Sequence, residues 1–334
     1  MSRPVKSPWA VVLAAGDGAR LRPLTRLLYE QDLPKQFAVI EGGRSLLQST
    51  LDRLAARFPA ERTVVVVGKS QETVARHQLR DFEGVEVVAQ PRNLGTGPGL
   101  LLPLARVRAR DPGARVAVFP SDHYVPRPGR LLEGIETALE AVDRSGLALI
   151  GVEPDRPETE YGWIVPGSNA STSAAGIQTV HRFVEKPDRL LAERLLRQGA
   201  LWNTFICIGR LQKFWEEARL HMPRTARLFN LYAEHAGQPD EGHVLERIYS
   251  RIEPANFSRD VLQRARGLGV VPVRDSGWSD WGSPRRIFES LRGMADRQRL
   301  LTRIASVRRT RAVPLAAAAA DHALQGDDAA ALPA

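Results

Sequence analysis

Five residues, Gly16-Asp17-Gly18-Ala19-Arg20, interrupt the chain just after a short apolar run from Trp9 to Ala15. Such a run reads as a buried strand, and glycines directly after a strand let backbone N–H groups approach a phosphate with no Cβ in the way. Arg20 adds a guanidinium fork for phosphate oxygens, and Lys35 a compact second cation. The chemistry these residues could serve is the holding of a nucleoside triphosphate. Two commoner glycine loops fail on spacing. The dinucleotide fingerprint needs a third small residue where Leu21 stands and a helix opening at once, which Pro23 disfavours. The P-loop needs Lys and Ser or Thr after its last glycine, where this chain has Ala19 and Arg20. A second group, Phe119-Pro120-Ser121-Asp122-His123, ends a strand with an acid at the ligand edge. A carboxylate there suits Mg²⁺, which takes one or two protein carboxylates and leaves its other positions to phosphates and water. The alternative is Asp122 as a cap on the next helix or turn, and His123 reads as structural.

The elements that must carry these groups alternate along the first half. Ser45 to Phe58 has helical spacing, Thr63 to Val67 is a β-branched strand, and Val85 to Ala89 is a short strand after a polar helix. Gly97 to Arg110 is helical, Val116 to Phe119 a strand, Leu131 to Val142 a helix and Leu147 to Val152 a strand. The strands lack in–out alternation, as expected of parallel strands covered on both faces. The expected fold class is therefore α/β: a doubly wound, mostly parallel sheet with ligands beyond the carboxyl ends of its strands. In the second half, Tyr161 to Val165 and Ile177 to Glu185 read as strands around a Ser/Ala/Gly-rich turn. A helix over Asp188 to Gln198 and a strand over Leu201 to Ile208 follow, then several helices from Leu211 and a strand over Val270 to Val273. This half reads as a substrate-binding part inserted into or leaning on the same sheet. Residues 1–295 are expected to form one catalytic domain, and 296–334 a basic helix with an alanine-rich tail from Ala316.

Composition narrows the class. The 334 residues are 43% hydrophobic and 25% charged, as in a soluble globular protein with a full core. The one cysteine, Cys207, cannot form an internal disulfide, and no run is long enough to span a membrane, so a cytoplasmic location is expected. A net charge of +9 invites a nucleic-acid reading. The arginines are spread along the chain, however, and the one dense segment, Arg297 to Arg311, suits a solvated helix face, so neither a nucleic-acid nor a membrane partner is expected. A positive field also favours small polyanionic substrates. A homo-oligomer is compatible with the sequence, which does not specify one.

The stretch from Leu13 to Thr25, LAAGDGARLRPLT, followed by Pro34-Lys35, resembles the LAAGxGxRLxPLT and PK signature of the sugar-1-phosphate nucleotidyltransferases. The Gln36-Phe37 that follows resembles the guanylyltransferase branch, which makes GDP-mannose. More matches occur in the family's order. Gln90 to Pro98, QPRNLGTGP, occupies in part the place of the EP-x-RNTAPA segment that lies against the base. Tyr161-Gly162-Trp163-Ile164 is similar to YGYI, and Phe183 to Pro187, FVEKP, to F-x-EKP. Trp202-Asn203-Thr204-Phe205 is similar to WNSGMF, with Thr204 and Phe205 where the family has Ser-Gly. Gly277 to Ser283, GWSDWGS, is similar to GWSDVGS, with Trp281 in place of a smaller apolar residue.

The resemblance implies a Rossmann-like fold and an enzyme that joins GTP to mannose 1-phosphate with Mg²⁺. It implies Asp122 and Asp280 as metal ligands and, with Arg20 and Lys35, as the catalytic set. Leu13, Ala14, Ala15, Gly16, Gly18, Arg20, Gln90, Asn93, Gly95, Thr96 and Asp122 would take the nucleotide. Lys35, Gly162, Glu185, Lys186 and Asn203 would take the sugar phosphate. Alternatives are another hexose 1-phosphate, such as glucose 1-phosphate with UTP, TTP or CTP, and a non-catalytic sugar-nucleotide sensor. The chain is too short for the sugar-phosphate isomerase domain fused to some relatives, so a second activity is not expected.

Overall fold

The computed structural model describes residues 7–142, 146–167 and 176–307. Most of the expected Ser/Ala/Gly-rich turn, the end of the basic segment and the alanine-rich tail lie outside those residues. In chain order the elements are β1 (Trp9–Leu13), α1 (Arg22–Tyr29), α2 (Leu46–Leu54), β2 (Thr63–Gly68), α3 (Glu72–Gln78), β3 (Glu86–Gln90), α4 (Thr96–Arg110), β4 (Arg115–Pro120), α5 (Pro128–Ala141) and β5 (Ala148–Val152). Then come β6 (Gly162–Pro166), β7 (Gln178–Glu185), α6 (Arg189–Arg197), β8 (Leu201–Arg210), α7 (Leu211–His221), α8 (Pro223–His235), α9 (Glu241–Tyr249), β9 (Gly269–Val273) and α10 (Pro284–Ser290). A last helix, α11, covers 295–307. Boundaries fall within a few residues of those read from the sequence, the usual fraying of element ends.

The strands form one sheet in the order β3-β2-β1-β4-β8-β5-β9-β7-β6. Pairing is parallel from β3 through β4 and between β5 and β9. The parallel expectation stops there: β8 runs antiparallel to β4, β5 and β6, and β7 antiparallel to β6 and β9. The reversal has a consequence for the rim. With Val118 opposite Cys207, the start of β8 lies beside the carboxyl end of β4, so residues from both share one edge.

Successive strand residues feed two opposite layers, which is why the strands read as continuous apolar runs. Val11, Val64, Val66, Val116 and Val118 pack with α4, α7, α8 and α9 on one face. Ala10, Val12, Val65, Val67, Ala117 and Phe119 pack with α2, α5 and α6 on the other. Contrary to the expectation from Pro23, a helix does open soon after the glycines: a single 3₁₀ turn, Ala19–Leu21, leads into α1. Pro23 sits in the first turn, where no intrahelical partner awaits its missing N–H.

A third, smaller cluster underlies the loops at the rim. Leu21, Leu24, Ala38, Ile40, Tyr124, Trp281, Ile287 and Leu300 pack together, and Leu300 of α11 is 0% exposed. The start of the predicted basic segment thus joins the same packing that supports the glycine loop. Replacing Leu300 by Ala should cost about 2–4 kcal/mol of stability, as removal of a buried leucine does where the site cannot collapse. Urea unfolding measures it, and an unchanged midpoint would detach α11 from the packing beneath the rim loops.

Candidate functional site

Three chain segments meet at the rim. The glycine loop leaves β1, Ser121-Asp122 leaves its neighbour β4, and the two strands are in register from Trp9↔Val116 to Leu13↔Pro120. The loop's carbonyls face the protein: Gln36 Nε2 donates to Ala14 O at 2.7 Å and Gly16 O at 2.9 Å, and Gln71 Nε2 to Gly16 O at 3.1 Å. Among the described residues no hydrogen bond engages the amides of 15–18, and a Cβ on Gly16 would meet nothing within 4 Å. A cleft of about 440 Å³ opens here, lined by Leu13, Ala15, Gly16, Gln36, Asp122 and residues from the α4 loop. On that wall Asn93 Nδ2 donates to Asp17 Oδ2 at 3.0 Å, and Gly97 N to Ala255 O at 2.8 Å. Gly95, at φ +87°, must be glycine: a Cβ would stand 2.5 Å from Ala255 O.

The two acids, far apart in sequence, are drawn together. Tyr124 and Ser279 exchange backbone hydrogen bonds at 2.9 and 3.0 Å, and the Tyr124 and Trp281 rings stack 4.3 Å apart. Lys35, only 5% exposed, places its ammonium 3.1 Å from Asp122 Oδ2 and also donates to Asp280 O. Asp280 Oδ1 accepts from the Tyr161 hydroxyl at 2.6 Å, Gly282 N at 2.8 Å and Arg286 Nη1 at 2.8 Å. Arg286 pairs in turn with Glu158. Burial works to raise the Asp280 pKa, but the Tyr161 hydroxyl, Arg286 and Lys35 outweigh it and hold it below the ordinary value. Burial opposes ionisation at Asp122 too, and Lys35 and His123 outweigh it. Both carboxylates are charged at neutral pH.

A second corner lies along β6, β7 and β8. Gly162 is opposite Glu185 in the β6–β7 register. A Cβ on Gly162 would stand 2.9 Å from Glu185 Oε2 and 3.3 Å from Asn203 Cβ, so the glycine is what lets these two polar side chains converge. Burial raises the Glu185 pKa despite Lys186 and a Ser258 hydrogen bond.

The Nucleotidyl transferase family model matches residues 9–297. The chain belongs to that family. It is 30% identical over 276 residues to alginate biosynthesis protein AlgA of Pseudomonas fluorescens, covering 81% of this chain and 56% of that protein. It is 28% identical over 289 residues to mannose-1-phosphate guanylyltransferase of Escherichia coli, covering 84% and 59%. The chain thus spans less than two thirds of these relatives' length. Among solved structures, mannose-1-phosphate geranyltransferase of Thermus thermophilus superposes with a TM-score of 0.73 at 31% identity, over 86% of this chain and 79% of that one. A UDP-glucose pyrophosphorylase complexed with UDP-glucose shares the fold at 16% identity, with a TM-score of 0.53 over 85% and 97% of the two chains.

Most sequence-predicted residues of this chain converge, and a few stand elsewhere. Leu13, Ala15, Gly16, Gln90, Asn93, Gly95, Thr96 and Asp122 line the cleft. Ala14 does not, because its side chain is buried in the core beneath the loop. Gly18 does not either: at φ +59° it packs on the Lys35 backbone, and a Cβ would come 2.7 Å from Lys35 N. Arg20 turns away from the cleft lining to two carboxylates, Glu160 at 3.1 Å and Asp280 at 3.5 Å. Gly162, Glu185 and Asn203 form the second corner, with Lys186 exposed beside it. Sequence reasoning missed Gln71, Glu158, Tyr161 and Arg286 as supports, and Phe205 and Asn256 as cleft residues. Tyr161 and Phe205 lay inside motifs already quoted; Glu158 and Arg286 carry no spacing signal.

Nucleotidyltransferases of this family generally use a divalent metal ion. The donors here fit one. The contacts to Asp122 Oδ1 and Asp280 Oδ2 are long, His123 Nε2 at 3.8 Å and Arg20 Nη2 at 3.5 Å. Among the described residues no group of three or more His, Cys, Asp and Glu could hold a metal, so the remaining ligands must be substrate oxygens and water.

His123 is a support. Its Nδ1 accepts from Trp278 Nε1 at 3.2 Å, leaving the proton on Nε2 facing Asp122. Burial pushes its pKa down to about 4 against the pull of Asp122. A base with a depressed folded pKa takes up protons on unfolding, so its contribution is complete above about 6.5 and drains away as pH falls toward 4. Glu41, pushed up to about 7 by burial and Asp296, acts in the opposite sense over much of that window. Comparison of variants separates them. His123→Asn, which keeps an acceptor for Trp278, should lose roughly 3 kcal/mol less than wild type between pH 6.5 and 4. Parallel urea-midpoint curves for the two proteins would refute this.

Proposed function

We propose that this nucleotidyltransferase transfers a guanylyl group from GTP to mannose 1-phosphate, giving GDP-mannose and pyrophosphate. The observation that carries the reading is one rim where free loop amides, the ionised Asp122 carboxylate paired with Lys35, the ionised Asp280 carboxylate held by Tyr161 and Arg286, and the Gly162–Glu185–Asn203 corner adjoin. A sugar phosphate arrives with an ionised oxygen, its second pKa being near 6, so the reaction needs no general base. That oxygen attacks the α-phosphorus in line, a P–O bond forms, and the bond to pyrophosphate breaks. The protein's task is to hold two polyanions together and to offset charge as it moves to the leaving group. The amides of 15–18 and Arg20 take the β- and γ-phosphates, with Arg20 exchanging Glu160 for phosphate. Lys35 and Lys186 meet the sugar phosphate, and Glu185 and Asn203 receive sugar hydroxyls. Asp122 and Asp280 would hold Mg²⁺, which would supply Lewis-acid neutralisation of phosphate charge.

GTP and mannose are supported by the Pro34-Lys35-Gln36-Phe37 and Gly277-Trp278-Ser279-Asp280 motifs and by the names of the bacterial relatives. A second reading, another base or hexose, is favoured by the departures at Leu94 to Gly97 and at Thr204-Phe205. A binding-only sensor is disfavoured, because two ionised acids drawn together at the rim of a cleft for polyanions repel the ligands unless a cation joins them. We place the activity in the cytoplasm, with no membrane or nucleic-acid partner.

Pyrophosphate release is to be measured for ATP, GTP, CTP, UTP and TTP against mannose and glucose 1-phosphate. The expected signal is GTP with mannose; a stronger one elsewhere selects the second reading, and silence throughout rejects transfer. Asp280→Asn should lower kcat on the order of a hundredfold or more while the fold is kept. Arg20→Ala should depress kcat more than it raises the KM for mannose 1-phosphate, and wild-type turnover would remove Arg20 from the leaving-group side.

A further inference from the structure

Phe205 holds φ +61°, the left-handed region that a bulky side chain enters only at a cost on the order of 1 kcal/mol or more. Neighbouring hydrogen bonds fix it there. Asn203 Oδ1 accepts from Phe205 N at 3.1 Å, Thr204 Oγ1 donates to Ile150 O at 2.7 Å, and the same hydroxyl accepts from Ile206 N at 3.2 Å. The β5–β8 register shifts at this point, between Leu149 and Gly151, and such an irregularity re-aims a side chain. The ring lines the cleft with Asp122, His123 and Asn256, and meets the edge of Phe257 at 6.5 Å between centroids.

Phe205 is also tied to the other corner. The amide that hydrogen-bonds its N–H belongs to Asn203, which lies against Gly162 and so beside Glu185. One residue therefore stands where the nucleotide cleft gives way to the sugar corner. A glycine would adopt this conformation without cost. The ring packs against the core layer beneath the cleft and also lines the cleft itself, so it takes volume from the junction.

We propose that Phe205 sets the acceptor selectivity of the enzyme, admitting hexose 1-phosphates with a hydroxyl on the carbon next to the anomeric centre and excluding those with an acetamido group there. This rests on the nucleotidyl-transfer reading of the cleft. The anomeric carbon bears the phosphate that must reach the nucleotide near Asp122. The neighbouring carbon is thus the part of the ring closest to the junction, and its substituent meets the Phe205 wall.

The test compares kcat/KM, by pyrophosphate release, for the preferred hexose 1-phosphate and its 2-acetamido counterpart. Wild type is set against Phe205→Gly and Phe205→Asn, both of which accept a left-handed backbone, and against Phe205→Leu, which keeps an apolar wall. The Gly and Asn variants should raise the acetamido-to-hydroxyl ratio about tenfold or more, and Leu should change it by less than about threefold. Ratios within about twofold of wild type in both small variants overturn the assignment. So does loss of all turnover in both folded variants, which would give the ring to the reaction and not to the choice of acceptor. A wild-type enzyme silent with every substrate pair refutes the transfer reading beneath the proposal, and that outcome is distinct from the other two.

Discussion

A buried ammonium group, that of Lys35, sits between the Asp122 carboxylate and the Asp280 carbonyl. A charge taken out of water is tolerated only when it is paired and hydrogen-bonded, since an unpaired one costs several kcal/mol. Lys35 therefore binds the loop after β4 to the loop after β9, and its own position must be fixed closely. The 3₁₀ turn Lys35–Phe37 does this. Gly18 packs directly on the Lys35 backbone, and the next residue, Gln36, holds the Ala14 and Gly16 carbonyls. With those carbonyls occupied by side-chain amides, the loop presents its N–H groups to the cleft. One short turn thus sets the anion-facing loop and the spacing of both acids.

Strain is concentrated in the same region. Five described residues other than glycine have positive φ, and three of them, Lys186, Phe205 and Trp281, fall within the site motifs. Such conformations persist where surrounding contacts over-determine them. At Trp281 those contacts are the stack on Tyr124 and a backbone hydrogen bond to the Ser279 hydroxyl at 3.2 Å. At Lys186 the backbone N–H donates to Tyr161 O at 3.1 Å. Each of these three is next to, or hydrogen-bonded by, a candidate site residue, Glu185, Asn203 or Asp280, so the distorted backbone lies where those groups are aimed.

The first half of the fold was legible because its strands are buried on both faces and its helices are amphipathic, so pattern and structure share one cause. The second half was less so. Antiparallel insertion of β8 depends on contacts distant in sequence, and residues 201–210 read the same whichever way their neighbours run. The acids were legible as motif positions, but not their meeting, which needs the Tyr124–Ser279 bridge and Lys35. Pro23 misled because a proline excluded from a helix interior is welcome in its first turn. Gly18 has a structural reason to be glycine that spacing does not reveal: its missing Cβ makes room for Lys35. Arg286 and Glu158 left no trace in spacing, since their pairing closes only when α10 docks against the loop before β6.

The electrostatic arrangement explains why a chain with a large positive charge keeps two ionised acids side by side. Two carboxylates that share a site normally hold back one another's ionisation. Here Lys35 lies against Asp122, while Arg286, Arg20 and the Tyr161 hydroxyl lie against Asp280, so the mutual repulsion is offset before any ligand arrives. The offset is uneven in a useful way. Asp280 Oδ1 is saturated by three donors, whereas Oδ2 has only the long contact to Arg20, an exposed side chain with a second carboxylate partner in Glu160. A phosphate group competing for Arg20 would release Oδ2 at the moment a polyanion brings the need for a further cation. The acids are thus kept charged by buried groups, and the less engaged Asp280 oxygen is contacted by an exposed arginine that already has a second carboxylate partner.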